Sequence, residues 1–274
     1  EIIKFRHNQN KKRLRCYAKI ILEWKVKSIQ YSSCDEVKSS NNSKSIIIES
    51  EHGLKFFADS CILSVPISIF NNKLIKFQPQ LPKQKMKAFE MVGMDRAIKI
   101  LLKFNKKVWP HKLQSIICAD CPIPEIWFRE FQLHEDDKEL DEGQACSHCH
   151  YVAVCYLMSK AADDLMQHGE HEAIEIAKSQ LQRIFQISSE DMNQAFLSFL
   201  IFDWGKHDTI RGGYGYPKVG IKPKHYMNIA SNVNRELFFC GEGTHLGAGM
   251  TVQAAMETGA RAAREVMESF SSSV

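Results

Sequence analysis

The stretch LFFCGEGTHLGAGMTVQAAMETGARAAREVM, residues Leu237 to Met267, runs from an apolar segment through four glycines into a long amphipathic pattern. The opening reads as a buried strand and the close as the last helix of the chain. Of 14 glycines in the chain, four fall between Cys240 and Met250. Glycine costs conformational entropy on folding, so such a cluster marks positive φ angles or close backbone approach. A helix starting after such a loop presents unpaired N–H groups and the positive end of its dipole, a ready anion site. A plain strand–loop–helix connection gives the same pattern, and this stretch alone does not choose between them.

In the helix, Val252, Ala255, Met256, Gly259, Ala263 and Val266 recur at helical spacing and are expected to form the buried face. Glu257, Arg261, Arg264, Glu265 and Glu268 fall elsewhere and read as the wet face. A face of small residues lets another backbone or a flat ligand come close. Thr251 is the expected N-cap, leaving early helix N–H groups to meet an electron-rich edge. A phosphate is one candidate, but no lysine or serine follows in P-loop spacing. A flat heterocycle that gains negative charge on reduction is another.

The 274 residues allow one large or two ordinary domains. Charge is mixed, 36 basic against 32 acidic, and the block NKKRLR (Asn10 to Arg15) is short, so no nucleic-acid partner is expected. No apolar run reaches the length of a membrane span and no secretory leader is visible, so no membrane association is expected. Nine cysteines are present, an odd number. Cys61, Cys155 and Cys240 sit in apolar strand patterns as small core residues. Free thiols inside the cell, in the cytoplasm, are the expectation. The sequence opens on Glu1 rather than methionine, and we expect it to be part of a longer polypeptide.

Strands are expected over Lys19–Tyr31, over Ser45–Pro66 with a hairpin turn at Glu51–Gly53, over Ala97–Phe104, and over Gln194–Trp204. The segments SIICAD, EIWFREFQL and HYVAVCYLM read as three consecutive antiparallel strands. A helix is expected over Leu81–Val92, with Pro82 near its start. Another carries Ile174, Ala177, Leu181 and Ile184 on one face. Interleaved strands and helices give an α/β or α+β class, with the first and last thirds packed together.

Cys118 and Cys121 in CADC, with Cys146 and Cys149 in CSHC, form two C-x-x-C pairs, a zinc pattern with His148 and His150 as spare ligands. The three-strand reading puts Cys121 in the first turn and Cys149 at the opposite end of the sheet. Strands of about five residues separate them by roughly 16 Å, too far for one tetrahedral metal.

The Leu237–Met267 stretch resembles the C-terminal signature of FAD-dependent amine oxidases, the family of polyamine oxidases, monoamine oxidases and lysine-specific histone demethylases. VKSI (Val26–Ile29) followed by GLKFFADSCILSVPISIF (Gly53–Phe70) looks like that family's middle cofactor-domain segment. IKFQPQLPKQKMKAF and AIKILLKFNKKVWP are similar to its next block, and DWGKHDTIRGGYGYPKVG to the segment leading back into the cofactor domain. Together these motifs cover roughly residues 19–267.

The resemblance implies a two-domain flavin amine oxidase fold. It divides the chain into a middle FAD-binding segment (1–90), a substrate-binding domain with a mixed or antiparallel sheet flanked by helices (91–208), and a final FAD-binding segment (209–274). It also implies hydride transfer from an amine carbon to FAD, imine hydrolysis, and reduction of oxygen to hydrogen peroxide. The implied partners are a small-molecule amine, such as a polyamine, and oxygen. Lys99 falls where the family holds a water against flavin N5. Val26 meets the adenine, Pro66 ends the strand beside it, and Trp204 packs near the flavin. Glu242, next to Gly241, accepts from the ribityl hydroxyls. Thr251 and Val252 begin the helix that meets the pyrimidine edge of the ring. Tyr214 walls the amine site.

Met250 stands where relatives usually have glycine or alanine, and Ala254 where many have glycine. Thr251 replaces a second aromatic of some relatives. No cysteine occupies the flavin-linking position, which falls near Leu246, so noncovalent FAD is expected. No strand followed by G-x-G-x-x-G occurs in context. The chain alone is therefore expected to bind FAD poorly and turn over little. A non-catalytic relative serving in protein interaction is the alternative, alongside the zinc module.

Overall fold

The computed structural model describes residues 2–4, 17–32, 46–132, 149–247 and 249–271. In chain order, β1 (Ile2–Lys4) pairs antiparallel with β2 (Tyr17–Lys19), and β3 (Val26–Gln30) follows. β4 (Ile46–Ser50) and β5 (Lys55–Ala58) form the expected hairpin, whose turn is made possible by Gly53 at φ +77°. β6 (Cys61–Leu63), α1 (Ile67–Asn71) and β7 (Lys76–Gln78) come next. α2 (Lys83–Glu90) starts directly after Pro82, whose carbonyl accepts from the amides of Lys85 and Met86.

β8 (Val92–Met94) leads to β9 (Ala97–Phe104), where Ile98, Ile100, Leu102 and Phe104 are buried and the residues between them are not. β10 (Ser115–Ile117), β11 (Glu125–Gln132) and β12 (Cys149–Met158) are the three antiparallel strands expected. α3 (Ser159–Met166), α4 (Glu170–Phe185) and α5 (Ser189–Ala195) follow, the last capped by Ser188, which accepts from the Asp191 amide at 3.0 Å. The chain then forms β13 (Phe196–Asp203), β14 (Gly215–Pro217), α6 (Pro223–Ala230), β15 (Leu237–Phe239), a 3₁₀ turn at Glu242–Thr244 and α7 (Val252–Ser271).

These elements make two compact units. The first holds the described parts of 1–64, 69–90 and 222–274, and the second 65–68 and 91–221. The segment 209–221 packs with the second unit, since β14 pairs with β8. In the first unit a sheet of order β5-β4-β3-β7 accompanies the parallel pair β6–β15. Its core includes the fully buried Phe89, Phe238 and Phe239, with Phe70 and Phe89 stacked at 4.2 Å. In the second unit the order is β10-β11-β12-β9-β13, all antiparallel. One face packs on α3, α4 and α5 through Ile98, Ile100, Leu102, Ile126, Ala153, Cys155 and Leu157. The other face carries the residues discussed below. The class is mixed α/β, as expected, and no helix among the described residues is long and apolar enough to cross a membrane.

Three sequence expectations are corrected. The strand expected over Lys19–Tyr31 is broken, Lys19 ending β2 and β3 covering only Val26–Gln30, and Gln194 and Ala195 end α5 rather than begin a strand. The apolar stripe assigned to the last helix is not its buried face: Val252 and Met256 are 74% and 70% exposed, whereas Ala254, Thr258 and Ala262 are buried. The reason is polar. Thr258 Oγ accepts from the Gly241 amide at 3.0 Å and bonds the Gly241 carbonyl at 3.1 Å, so the hydroxyl fixes the helix rotation.

Candidate functional site

In the second unit, Lys99 lies mid-sheet on β9, directly opposite Tyr156 of β12 and Phe202 of β13. Its ammonium is 5.5 Å from the centre of the Trp127 ring and 5.9 Å from that of Tyr156. Trp127 and Tyr156 stack at 5.4 Å with planes 15° apart. Among the described residues Lys99 makes no ion pair. Its charge therefore rests on π faces and is available to a water or an anion.

Tyr214 is brought to this cluster by two glycines. The Gly212 amide donates to the Trp204 carbonyl at 3.0 Å and the Gly213 amide to the Asp95 carbonyl at 2.9 Å. A Cβ on Gly213 would stand 2.7 Å from Cβ of Ala97, so only glycine lets the segment lie this close. Tyr214 then hydrogen-bonds Tyr156, whose phenol is pushed up to about 12 by burial first, by Tyr214 next and by the charge of Glu125 last. Trp204 packs its ring 4.2 Å from that of Phe202, the neighbour of Lys99. Arg96 anchors this end of the sheet to Asp203, with Nε at 3.1 and 3.2 Å from the two carboxylate oxygens.

In the first unit, Gly241, Glu242, Thr251 and Val252 belong to the loop between β15 and α7. Gly241 takes φ +111°, which a side chain adopts only under strain. Thr251 caps α7 as expected, its Oγ accepting from the Ala254 amide at 3.1 Å. Val252 and Gln253, at the exposed start of the helix, donate to no acceptor among the described residues. Glu242 Oε2 accepts from the Met250 amide at 3.0 Å and holds the loop against the helix start. Met250 sits at φ +69°, a region where a Cβ is costly. Val26 opens β3 in register with Ser50, and Pro66 lies between β6 and α1.

Sequence reasoning missed several groups here. His245 bonds Glu257 at 2.9 Å across the same loop. Trp127 and Tyr156 come beside Lys99 through strand register, which no sequence spacing reveals. Lys85 is 3% exposed in the first unit, donating to the carbonyls of Asn228 and Ile229 at 2.7 Å each and lying 3.8 Å from the Phe239 ring.

The zinc alternative finds no support. Glu125 pairs with Tyr156 and Cys149 with Gln132, so Cys149 enters β12 at the end away from the Cys118–Cys121 turn. Burial pushes the Cys118 thiol up, against the thiolate a metal needs, and Cys121 Sγ lies 2.9 Å from the Arg183 guanidinium. Cys146, His148 and the acidic loop Glu135–Glu142 lie outside the described residues.

The model of a protein family described as flavin containing amine oxidoreductase matches residues 16–267. The chain is 28% identical over 218 residues to polyamine oxidase 2 of Arabidopsis thaliana, covering 80% of this chain and 41% of that one. It is 24% identical over 248 residues to lysine-specific histone demethylase 2 of Homo sapiens, covering 90% and 28%. Among solved structures, a triple mutant of putrescine oxidase superposes with a TM-score of 0.69 at 16% identity, over 90% of this chain and 49% of that one. Cyclohexylamine oxidase from Brevibacterium oxydans gives a TM-score of 0.68 at 13% identity, over 92% and 49%. The chain spans about two fifths of the length of the polyamine oxidases it matches.

Fold and sequence together define the class as flavoprotein oxidoreductases. The chain belongs to the flavin containing amine oxidoreductase family. That family implies a flavin, and the β15–α7 loop fits one: helix amides offer donors for ring carbonyls, and a carboxylate beside them offers an acceptor for a polyol arm.

Proposed function

We propose that the polypeptide carrying these residues oxidises the C–N bond of an aliphatic amine, a polyamine or a related molecule, with oxygen as final acceptor and hydrogen peroxide as product. Bound FAD supplies the two-electron acceptor. The loop of Gly241 and Glu242 with the helix start at Thr251 and Val252 would hold its ring and ribityl arm, Val26 and Pro66 its adenosine side, and Trp204 would pack near the ring. No cysteine stands at the linking position near Leu246, so the FAD is held noncovalently. By this reading 1–64, 69–90 and 222–274 serve the cofactor and 91–221, which includes Tyr214, the substrate.

Lys99 is the catalytic residue of this reading. Its ammonium polarises a water and stabilises negative charge as oxygen is reduced or an imine is hydrolysed. Tyr214, held beside Tyr156, walls the amine and keeps water from the carbon that loses hydride. The observation that carries the reading is the Lys99 ammonium, seated mid-sheet on two aromatic faces without an ion-pair partner among the described residues.

We further propose that residues 1–274 alone bind FAD weakly and turn over little, because no G-x-G-x-x-G turn is present to hold the pyrophosphate. The test is anaerobic mixing, with aliphatic amines, of a flavin-loaded polypeptide that carries these residues together with a G-x-G-x-x-G turn. Bleaching of the flavin absorbance supports the reading, and a flavin that stays oxidised with every amine contradicts it.

A further inference from the structure

Cys118 and Cys121 stand at the two ends of a turn in the loop that joins β10 to β11. The Cys121 amide donates to the Cys118 carbonyl at 3.3 Å. A four-residue turn closed this way brings its end Cα atoms within about 7 Å, close to the span of a disulfide. Both residues are free thiols, and they hydrogen-bond each other. The loop is fixed to α4 by the buried Gln180, which accepts from the Ile123 amide at 3.0 Å and donates to the Ile123 carbonyl at 2.8 Å.

Arg183 lies three positions beyond Gln180 on α4, so both side chains reach the same loop. Its guanidinium meets Cys121 Sγ at 2.9 Å. The same thiol donates to the Asp120 carboxylate at 3.7 Å. Cys121 therefore has an acceptor for its proton and a cation for the charge its sulfur carries in attack. Cys118 is 9% exposed, and burial above all pushes its thiol up and keeps it protonated. One sulfur is half-buried and charge-stabilised, and the other is buried beside it. That is the arrangement of an attacking and a resolving thiol.

We propose that Cys118 and Cys121 form a peroxide-reactive dithiol, with Cys121 as the attacking sulfur and Cys118 as the resolving one. The Cys121 sulfur, its proton passed to Asp120, attacks one oxygen of hydrogen peroxide. The O–O bond breaks, and the other oxygen leaves as hydroxide and takes up that proton as water. The Cys118 sulfur then attacks the sulfenic sulfur of Cys121. The S–S bond forms, the S–O bond breaks, and the hydroxyl departs with the Cys118 proton as a second water. The two thiols lose two electrons and two protons, and one peroxide becomes two waters. Only the source of the peroxide rests on the amine-oxidase reading. Ile117, next to Cys118, is in register through Glu125 and Tyr156 with Lys99, about 15 Å away across three strand spacings. Peroxide formed beside Lys99 arises in the same unit of the molecule as the dithiol.

The test treats the reduced 274-residue chain with hydrogen peroxide at neutral pH, without flavin or amine, with glutathione in a parallel reaction. Alkylation and tryptic digestion follow, and mass spectrometry reads the peptide Leu113–Arg129, which carries both cysteines and no other. That peptide is expected to lose two hydrogens and resist alkylation about tenfold faster than glutathione oxidises. Cys118→Ser should leave Cys121 as a sulfenic acid that dimedone captures, and Cys121→Ser should leave Cys118 reduced. Arg183→Gln should slow the reaction about tenfold. Arg183→Lys, which keeps a cation, should retain part of the rate, separating lost charge from a shifted turn. A peptide that stays reduced, oxidises no faster than glutathione, or reacts equally fast with Arg183→Gln overturns the proposal and leaves the amine-oxidase reading standing. A flavin that stays oxidised with every amine overturns that reading and leaves the dithiol intact.

Discussion

Lys99 and Tyr156 face each other directly across β9 and β12, with the ammonium 5.9 Å from the centre of a phenol ring that stays protonated until about pH 12. A neutral ring places no opposing charge beside the ammonium. Burial does most of this, and Tyr214 adds to it by hydrogen bonding. Tyr214→Phe should therefore bring the Tyr156 ionisation down toward the ordinary tyrosine range of about 10. Ultraviolet difference titration reads the shift, and an unchanged phenolate transition would show that Tyr214 does not restrain Tyr156.

Burial also governs Lys85. It lowers the amine from 10.5 to about 7, the Arg261 guanidinium acts in the same sense, and Glu265 opposes. The folded value lies below the unfolded one, so between about pH 7 and pH 10 the unfolded chain holds the extra proton and stability rises with pH. The slope from this group approaches about 1.4 kcal/mol per pH unit. Lys85→Met should flatten that rise. It should also cost about 1–3 kcal/mol, because the Asn228 and Ile229 carbonyls lose their donor. Urea denaturation across this window reads both effects, and parallel curves for the two proteins would count against the assignment.

Met250 is held in the left-handed region, where a side chain costs about 1–2 kcal/mol. Met250→Gly should relieve that strain and offset it partly with backbone entropy, for a net gain below about 1 kcal/mol. A fall in melting temperature would mean that the methionine side chain packs well enough to repay its conformation.

Gly213→Ala should be worse than a typical surface change. Its new Cβ meets Cβ of Ala97 at 2.7 Å, and neither atom can rotate away. A loss of about 1–3 kcal/mol is expected, together with a displaced Tyr214. Denaturation midpoints and the Tyr156 titration should move together.

How much of this was legible follows from which interactions are local. The alternation in Ala97–Phe104 and the Glu51–Gly53 turn were readable because strand period and glycine φ are local facts. The Thr251 cap was readable from the pattern at the helix start, and the family resemblance pointed to Lys99. The rotation of α7 was not readable, because apolar periodicity selects Val252 and Met256 while Thr258, a polar residue, is the one clamped to Gly241. Nor was the cluster around Lys99. Tyr156 and Trp127 meet it only through antiparallel register, which depends on loops rather than on motif spacing. α3, α5 and α6 went unread, each with at most eight residues to show a period; α2, equally short, was read with Pro82 marking its start.

The most direct measurement is stopped-flow reoxidation of the reduced, flavin-loaded protein by oxygen, native against Lys99→Met. Methionine keeps the side chain's length and its contact with Trp127 and Tyr156 while removing the charge. A slowing of about a hundredfold or more, with the fold intact, is the expected result. Equal rates for the two proteins would contradict a catalytic Lys99 and favour a non-catalytic member of the family.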